Sequence, residues 1–480
     1  MGRLFRIMAV LAVALALLIP TQPVLSCIGT RITATVTATA KWTAECAWTI
    51  DKSVTPDTWD LFEGDTGTSL YTITVTKSCS GEQAWVEGQV CVKNCGAVAT
   101  QNLAITIQLR NANNLIATAP VDVSSHPVIT PGETWCYPYK VNIPAASIQA
   151  NGLYKVTAKV TITNGLGVSP FACTNLPSKP TSSNDTINVD DTNGGSWTFS
   201  NSGSVTYEKT FTCEDEGVNT NTATIRETGQ SDDASVIVNC YGLEVVKTAQ
   251  TSFTRRYYWT IDKSADQSAL TLSICNKKQV NYQVCVDATY VDIAWAVVGT
   301  ITVLNPAPMV ADIIGIADEV SPDIAAVADF GPITYPYALA AEGGLAGTYS
   351  ADLPDASSRT NTTTVTIQNY AYKWDGTATP IGTTTFSGTT NIDFSTAEME
   401  EIDECITVTD TYAGSVGTVC YSAAPKCFKY SRWIGPYKKC GCYKVDNTAS
   451  FVTNDTKTTG SDSWRVTVTV KVSCRGCNCK

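Results

Sequence analysis

The sequence predicts an all-β protein made of several antiparallel β-sandwich domains. Segments such as 32–38, 71–75 and 159–163 alternate apolar and polar residues and are rich in β-branched side chains, which is typical of half-buried strands. Turn residues separate these segments at short intervals, as in antiparallel sandwiches. Only segments 313–320 and 323–329 have a pattern compatible with helix, and both are short.

The first 26 residues are predicted to be an export signal. Arg3 and Arg6 precede an unbroken apolar run over 7–19, and small or short apolar residues at 24–26 precede a cleavage point. This run is shorter than the ~20 residues that a membrane-spanning helix needs. We therefore expect a secreted or cell-surface protein without a transmembrane segment.

Cys27 would be the first residue of the mature chain. The preceding Val24, Leu25 and Ser26 resemble a loose bacterial lipoprotein signal, in which the cysteine is acylated. The pattern departs from that signal at Leu25, where a small residue is usual. Lipidation of Cys27 and ordinary cleavage before a free N-terminus therefore both stay open.

Composition bounds the classes of function. The net charge of −11 and the isoelectric point near 4.7 argue against nucleic-acid binding, which requires a basic face. Nineteen cysteines behind an export signal predict a disulfide framework. The mature chain is too long for one core, since single domains usually have ~100–200 residues.

Internal matches predict a duplication. The segment 48–53 recurs unchanged at 259–264, at an offset of 211 residues. The segment 89–92 recurs at 283–286 with an offset of 194, and 137–139 is echoed at 335–337 with an offset of 198. The falling offset predicts that the second copy has lost residues from the intervening hairpin.

A smaller unit follows each large one. Segment 187–192 resembles 406–411, and 221–224 resembles 447–450. The predicted organisation is a signal peptide over 1–26, a large unit over 27–180, a small unit over 183–240, a large unit over 241–395, a small unit over 396–474, and a cysteine-rich tail over 475–480.

Three segments, 254–264, 359–362 and 446–455, resemble bacterial secreted and cell-surface proteins with Ig-like repeats. The resemblance covers nearly all of the mature chain. It implies tandem Ig-like sandwiches in an elongated array at the cell surface, and no established activity. Self-assembly or an unknown surface partner would then provide the function.

Four disulfides are predicted. Cys213 and Cys240 bracket the last strands of the first small unit, and Cys440 and Cys474 hold corresponding places in the second. Cys275 is paired with Cys285, and Cys79 with Cys91 as its counterpart in the first copy. The tail cysteines 474, 477 and 479 are expected to form disulfides rather than a metal site, because they lack a second cluster of ligands.

The resemblance also implies a covalent modification. Surface Ig-like domains can carry isopeptide bonds between lysine and asparagine, and Lys263 and Asn361 are the candidate pair in the second large unit. The first large unit has Lys52, but Val156 aligns with Asn361. The alternative is that Lys263 is an ordinary solvated lysine at a strand end.

Enzymatic function is not expected, and no catalytic residue, cofactor or metal is predicted. The only histidine, His126, lies in a polar loop, whereas serine and cysteine nucleophiles usually need a histidine base. The leading hypothesis is an exported structural protein. An adhesin or glycan-binding protein is the alternative, using tryptophan and tyrosine as stacking platforms. A glycoside hydrolase using paired carboxylates such as 190–191, 232–233 or 403–404 is the third hypothesis.

Overall fold

A computed structural model describes residues 30–472. Those residues form 33 β-strands and three short 3-10 turns, Ala145–Ser147, Cys213–Asp215 and Tyr421–Ala423, with no α-helix among them. The segment 313–320, which had a helix-compatible pattern, lies in a strand that pairs on both edges. Within 30–472, no helix is long and apolar enough to cross a membrane.

The strands follow in chain order. The first sixteen are β1 Thr30–Val36, β2 Thr39–Thr55, β3 Thr58–Phe62, β4 Thr66–Asn94, β5 Ala104–Asn111, β6 Asn114–Val121, β7 Thr134–Ile143, β8 Leu153–Thr161, β9 Gly165–Leu166, β10 Phe171–Asn175, β11 Thr181–Ser183, β12 Ile187–Asp191, β13 Ser196–Phe199, β14 Gly203–Phe211, β15 Gly217–Ile225 and β16 Ser231–Tyr241. The others are β17 Glu244–Lys247, β18 Gln250–Ala265, β19 Ala269–Ser273, β20 Lys278–Leu304, β21 Ala311–Val320, β22 Ile324–Ala325, β23 Val327–Asp329, β24 Tyr337–Leu339, β25 Gly344–Leu353, β26 Arg359–Lys373, β27 Ala378–Ile392, β28 Glu398–Ile402, β29 Cys405–Asp410, β30 Gly414–Cys420, β31 Lys426–Ile434, β32 Gly441–Thr453 and β33 Thr459–Lys471.

The described chain forms two compact units whose segments interleave. The first comprises 30–53, 72–206 and 221–234, and the second comprises 54–71, 207–220 and 235–472. Long strands such as β2 and β4 contribute residues to both units. The units therefore do not follow one another along the sequence.

The first unit has one large core. The second half of β4 pairs antiparallel with β1 and β7, and a separate four-stranded sheet has the order β10-β8-β5-β6. Alternate residues of these strands are fully buried, including Val86, Val90, Ile107 and Val156. In the same unit β12 pairs with β13 and β15.

In the second unit, the 27-residue strand β20 serves two cores. Its C-terminal half pairs with β25 and β17, and β21, β26 and β27 form the facing sheet of that core. Its N-terminal half pairs with β31, and here β29, β30, β32 and β33 form the facing sheet. Strand β18 runs antiparallel along β20. The antiparallel pair of β18 and β20 therefore extends through both cores.

Equivalent hydrogen bonds in the two copies correct the predicted alignment of their sequences. Tyr139 Oη donates to the Thr37 carbonyl at 2.6 Å, and Tyr349 Oη donates to the Thr248 carbonyl at 2.7 Å. A Cβ at Gly88 would lie 2.1 Å from Thr37 O, and one at Gly299 would lie 2.1 Å from Thr248 O. Both glycines are required because the backbones approach too closely for a side chain.

The threonines and glycines of the two copies are separated by the same 211 residues as the segments at the start of the repeat. The two tyrosines are one residue closer together. Asn94 and Asn305 continue the offset of 211 residues, since each side chain donates to the carbonyl four residues later, at 2.8 Å. The segments matched at offsets of 194 and 198 are therefore not equivalent positions of the two copies. The prediction that the second copy has lost hairpin residues is wrong. Short polar and apolar alternations recur in any strand-rich chain, so those two matches were out of register.

Candidate functional site

Of the described lysines, three have side chains with no solvent exposure, and each forms an ion pair with an equally inaccessible aspartate. The pairs are Lys52 with Asp191, Lys247 with Asp318, and Lys263 with Asp410. Lysine and aspartate are almost never fully buried unless paired, because removing each charge from water costs several kcal/mol. Three such pairs in one chain mark these positions as the candidate site.

A buried asparagine accompanies each pair. Asn221, Asn361 and Asn447 have relative exposures of 2%, 0% and 0%. The strand that carries the asparagine is the antiparallel neighbour of the strand that carries the aspartate. The registers are Asp191 opposite Ala223, Asp318 opposite Thr363, and Asp410 opposite Ala449.

In all three registers the asparagine lies two residues before the residue opposite the aspartate. Side chains that are diagonal in this way point to the same face of a sheet and lie within reach of one another. The lysine comes from β2, β17 or β18, which are strands of a different sheet from its aspartate and asparagine. The same three-residue geometry therefore occurs three times between facing sheets.

The cluster around Lys263 forms a closed hydrogen-bond network. Lys263 Nζ hydrogen-bonds Asp410 and, at 2.6 Å, the hydroxyl oxygen of Tyr430. Asn447 Nδ2 donates to the same hydroxyl oxygen at 2.6 Å, and that hydroxyl donates to Asp410 Oδ2 at 2.7 Å. Thr411 Oγ1 donates to Asn447 Oδ1 at 2.8 Å. The lysine and asparagine nitrogens thus share one hydrogen-bond partner.

The cluster around Lys52 repeats several of these contacts. Thr192 Oγ1 donates to Asn221 Oδ1 at 2.7 Å, as Thr411 does to Asn447. The backbone N–H of Lys52 donates to Asp232 at 2.7 Å, and Lys263 N–H donates to Asp462 at the same distance. The two sites are therefore held by matching residues of the two copies.

The cluster around Lys247 has the same three residue types on unrelated local sequence. Lys247 Nζ hydrogen-bonds Asp318 and, at 2.6 Å, Thr363 Oγ1, while Asn361 Nδ2 donates to the second oxygen of Asp318 at 3.1 Å. Asn361 Oδ1 is buried without a hydrogen-bond partner. The Tyr349 ring lies 4.1 Å from Lys247 Nζ.

Burial controls the protonation of these groups. Desolvation lowers the pKa of Lys52 and of Lys247, although the neighbouring aspartates oppose that shift. Burial raises the pKa of Asp410, but hydrogen bonds from Lys263 and from the Ala413 backbone outweigh it and hold that pKa below its usual value. Burial and the hydrogen bond to Asp410 raise the pKa of Tyr430, which therefore stays protonated.

The predicted pairing of Lys263 with Asn361 is wrong. Lys263 is enclosed by Asp410 and Tyr430, whereas Asn361 contacts Asp318 in the other core of the second unit. Lys263 is also not a solvated residue. Asn361 belongs to the predicted large unit, whereas Lys263 lies on the half of β18 that packs on the small-unit sheet.

Two features of the sequence could have identified these sites. Lys52 and Lys263 occupy the same place in the identical six-residue segments, and Asp191, Asn221, Asp410 and Asn447 lie in the matched segments of the small units. Lys247 had no such signal, because Val36 occupies the position 211 residues earlier.

Five disulfides join described cysteines: Cys46–Cys79, Cys91–Cys136, Cys213–Cys240, Cys285–Cys427 and Cys405–Cys420. The bond between Cys213 and Cys240 is the predicted one. Three of the others join directly paired residues of neighbouring antiparallel strands. Five disulfides indicate an oxidising, extracellular environment.

The other predicted pairings fail. Cys275 is an exposed free thiol in a turn with φ of 70°, while Cys285 faces Cys427 on β31. Cys440 is also a free thiol, although Cys442 is disulfide-bonded. The predicted pairing of Cys79 with Cys91 is replaced by bonds from these cysteines to 46 and 136. Cys474, the rest of the tail and Cys27 lie outside the described residues.

Thiol counting distinguishes the observed pairing of Cys285 from the predicted one. We expect Cys285→Ser to expose one new thiol, that of Cys427, in denatured and unreduced protein. Cys275→Ser should remove one thiol and release none. Alkylation with mass detection would measure both, and release of a thiol by Cys275→Ser would contradict the observed pairing.

The other residues considered for chemistry have structural contacts. His126 is partly buried rather than solvated: its ring stacks on Trp135, and its Nε2 lies 2.8 Å from a Glu133 oxygen. Asp190 forms a bidentate pair with Arg226, and Asp403 accepts hydrogen bonds from Thr456. Within 30–472, no group of three or more histidine, cysteine or acidic residues is placed to hold a metal ion.

Exposed aromatic residues bear on the glycan-binding hypothesis. Three of them already have partners: Lys155 lies over the Phe171 ring, Lys277 over Trp433, and Trp135 stacks on the histidine. They lie on the separate strands β10, β31 and β7.

Comparison with known proteins adds no assignment to this geometry. No protein-family model matches the chain, and no curated protein matches it significantly.

Proposed function

We propose that this protein is an exported structural component of the cell surface or extracellular matrix, built from Ig-like sandwich domains. The proposal rests on the disulfides, which cross-link strands in both units. Bonds such as Cys91–Cys136 and Cys285–Cys427 fasten neighbouring strands of the same sheet, with Cα–Cα distances of 3.9 and 4.0 Å. Such bonds stabilise by restricting the unfolded chain.

The buried clusters support the same role. Each cluster places a lysine of one sheet against an aspartate and an asparagine of another and so connects the two facing sheets. The disulfides between paired strands instead connect neighbouring strands of one sheet. The two kinds of tie act in different directions. A protein that must resist unfolding outside the cell, without chaperones or reducing conditions, benefits from both.

Surface proteolysis and imaging test this function. Limited protease treatment of intact source cells should release peptides of this chain, and electron microscopy of the unreduced purified protein should show ordered assemblies. Monodisperse protein that binds defined glycans on an array would instead favour an adhesin and overturn the structural role. Recovery only from inside intact cells would overturn export itself.

A further inference from the structure

We infer that each buried lysine forms an intramolecular isopeptide bond with the asparagine of its cluster: Lys52 with Asn221, Lys247 with Asn361, and Lys263 with Asn447. This inference is independent of the proposed surface role. It rests on the threefold recurrence of lysine, aspartate and asparagine in one register between facing sheets.

The geometry brings the reacting groups together in the folded chain. In the third cluster, Lys263 Nζ and Asn447 Nδ2 both hydrogen-bond the Tyr430 hydroxyl at 2.6 Å. In the second, Lys247 Nζ and Asn361 Nδ2 contact the two oxygens of the Asp318 carboxylate. Holding an amine beside an amide in this way replaces an encounter in solution with an intramolecular step.

The step balances without any added reagent. The proton of the lysine ammonium passes to the aspartate carboxylate, and the neutral Nζ attacks Cγ of the asparagine. The aspartate then returns that proton to the departing Nδ2, and it takes the second proton from the attached Nζ as the Cγ–Nδ2 bond breaks. It passes this second proton to the released ammonia, which leaves as ammonium. The product is a secondary amide between Nζ and Cγ, and the aspartate is regenerated in its starting form. No oxidant, metal or cofactor takes part.

The surroundings favour each part of this step. At Lys52 and Lys247, burial lowers the pKa of the ammonium, which makes the neutral nucleophile more accessible than in an exposed lysine. The hydroxyls of Thr192 and Thr411 donate to Oδ1 of their asparagines, the atom on which negative charge develops during attack. Asn361 Oδ1 has no such donor, so we expect the bond at Lys247 to form more slowly than the other two.

The partner could in principle be the aspartate, since it contacts the lysine directly. Two observations favour the asparagine. The three asparagines are buried polar side chains kept in one register in all three clusters. The aspartates also accept other hydrogen bonds, such as those from Tyr412 N–H and Ala413 N–H to Asp410 Oδ1, which hold the carboxylate in place beside the amide.

Intact mass of the full chain, reduced and alkylated, tests the inference. Wild-type protein should be lighter by three ammonia masses than expected from a triple Asp191→Ala, Asp318→Ala and Asp410→Ala variant after correction for the substitutions. Comparing two chains cancels any common processing of the N-terminus. Protease digestion of the wild-type protein should give branched peptides, one of which joins Lys247 to Asn361.

Each possible result of these measurements has a different interpretation. Losses of water, with branched peptides at the aspartates, would overturn asparagine as the partner. Unmodified linear peptides spanning a cluster in folded wild-type protein would overturn the bond at that cluster, even if the triple variant failed to fold. Lys278→Met serves as the control, because this lysine of β20 is exposed and its loss should leave all three ammonia losses unchanged.

Discussion

Asp410→Ala is expected to destabilise the second unit strongly. It leaves the Lys263 ammonium buried without its counter-charge, and removing one partner of a buried ion pair costs about 3–5 kcal/mol. It should also prevent the bond between Lys263 and Asn447. By analogy with disulfides in the chain-entropy model, losing this cross-link costs roughly a further 4 kcal/mol, because the Cys285–Cys427 disulfide already shortens the loop that it closes.

Denaturant unfolding followed by fluorescence of the second unit would measure this effect. Asp446→Ala is the matched control, since Asp446 pairs with Arg465 on the surface, with side chains 54% and 57% exposed. Removing an exposed pair should cost less than ~1 kcal/mol. Similar shifts for the two variants would contradict the structural importance assigned to the buried cluster.

A rescue variant separates the two contributions. Lys263→Met combined with Asp410→Leu removes both buried charges and leaves apolar side chains in the core. Replacing both members of a buried pair in this way is often neutral or stabilising. The double variant should therefore recover the ion-pair part of the loss and none of the cross-link part. Full recovery of wild-type stability would show that no covalent bond contributes.

Local pattern predicted the strands because alternation is a property of neighbouring residues. The predicted strand at 71–75 is observed in β4, where Tyr71, Ile73 and Val75 are fully buried. The partner of a strand is a long-range property, and the period-2 pattern does not contain it. Cys285, for example, meets Cys427 across 142 residues, whereas spacing alone suggested Cys275.

For the same reason, the sequence predicted only part of the candidate site. The repeat placed Lys52 and Lys263 in equivalent positions, but a lysine at a strand end is ordinarily solvated. Only the register between β29 and β32 shows that Asn447 lies diagonal to Asp410. The hairpin of β18 and β20 extends through two cores, so Lys263 belongs to a different core from the large-unit asparagine that seemed to match it.

The order of the lysines and asparagines along the chain predicts an unusual response to force. Lys247 precedes Lys263, and Asn361 precedes Asn447, so the two loops closed in the second unit overlap rather than nest. A pulled wild-type chain can extend from 247 to 263 and must then cross the second bond to 447. The residues between 263 and 447 are therefore shielded from tension, even after the disulfides are reduced.

Removing the bonds should lengthen the chain in two unequal steps. With Asp410→Ala, force passes through the remaining bond from Lys247 to Asn361 and then along the chain to 447, which adds roughly 250 Å at about 3.5 Å per residue. With Asp318→Ala added, the whole segment becomes extensible and the total gain is roughly 640 Å. Single-molecule pulling under reducing conditions would measure both lengths, with Lys278→Met as the control. Equal extension of the wild-type and double-variant chains would contradict overlapping cross-links, because only a covalent shortcut can hide those residues once the fold is pulled apart.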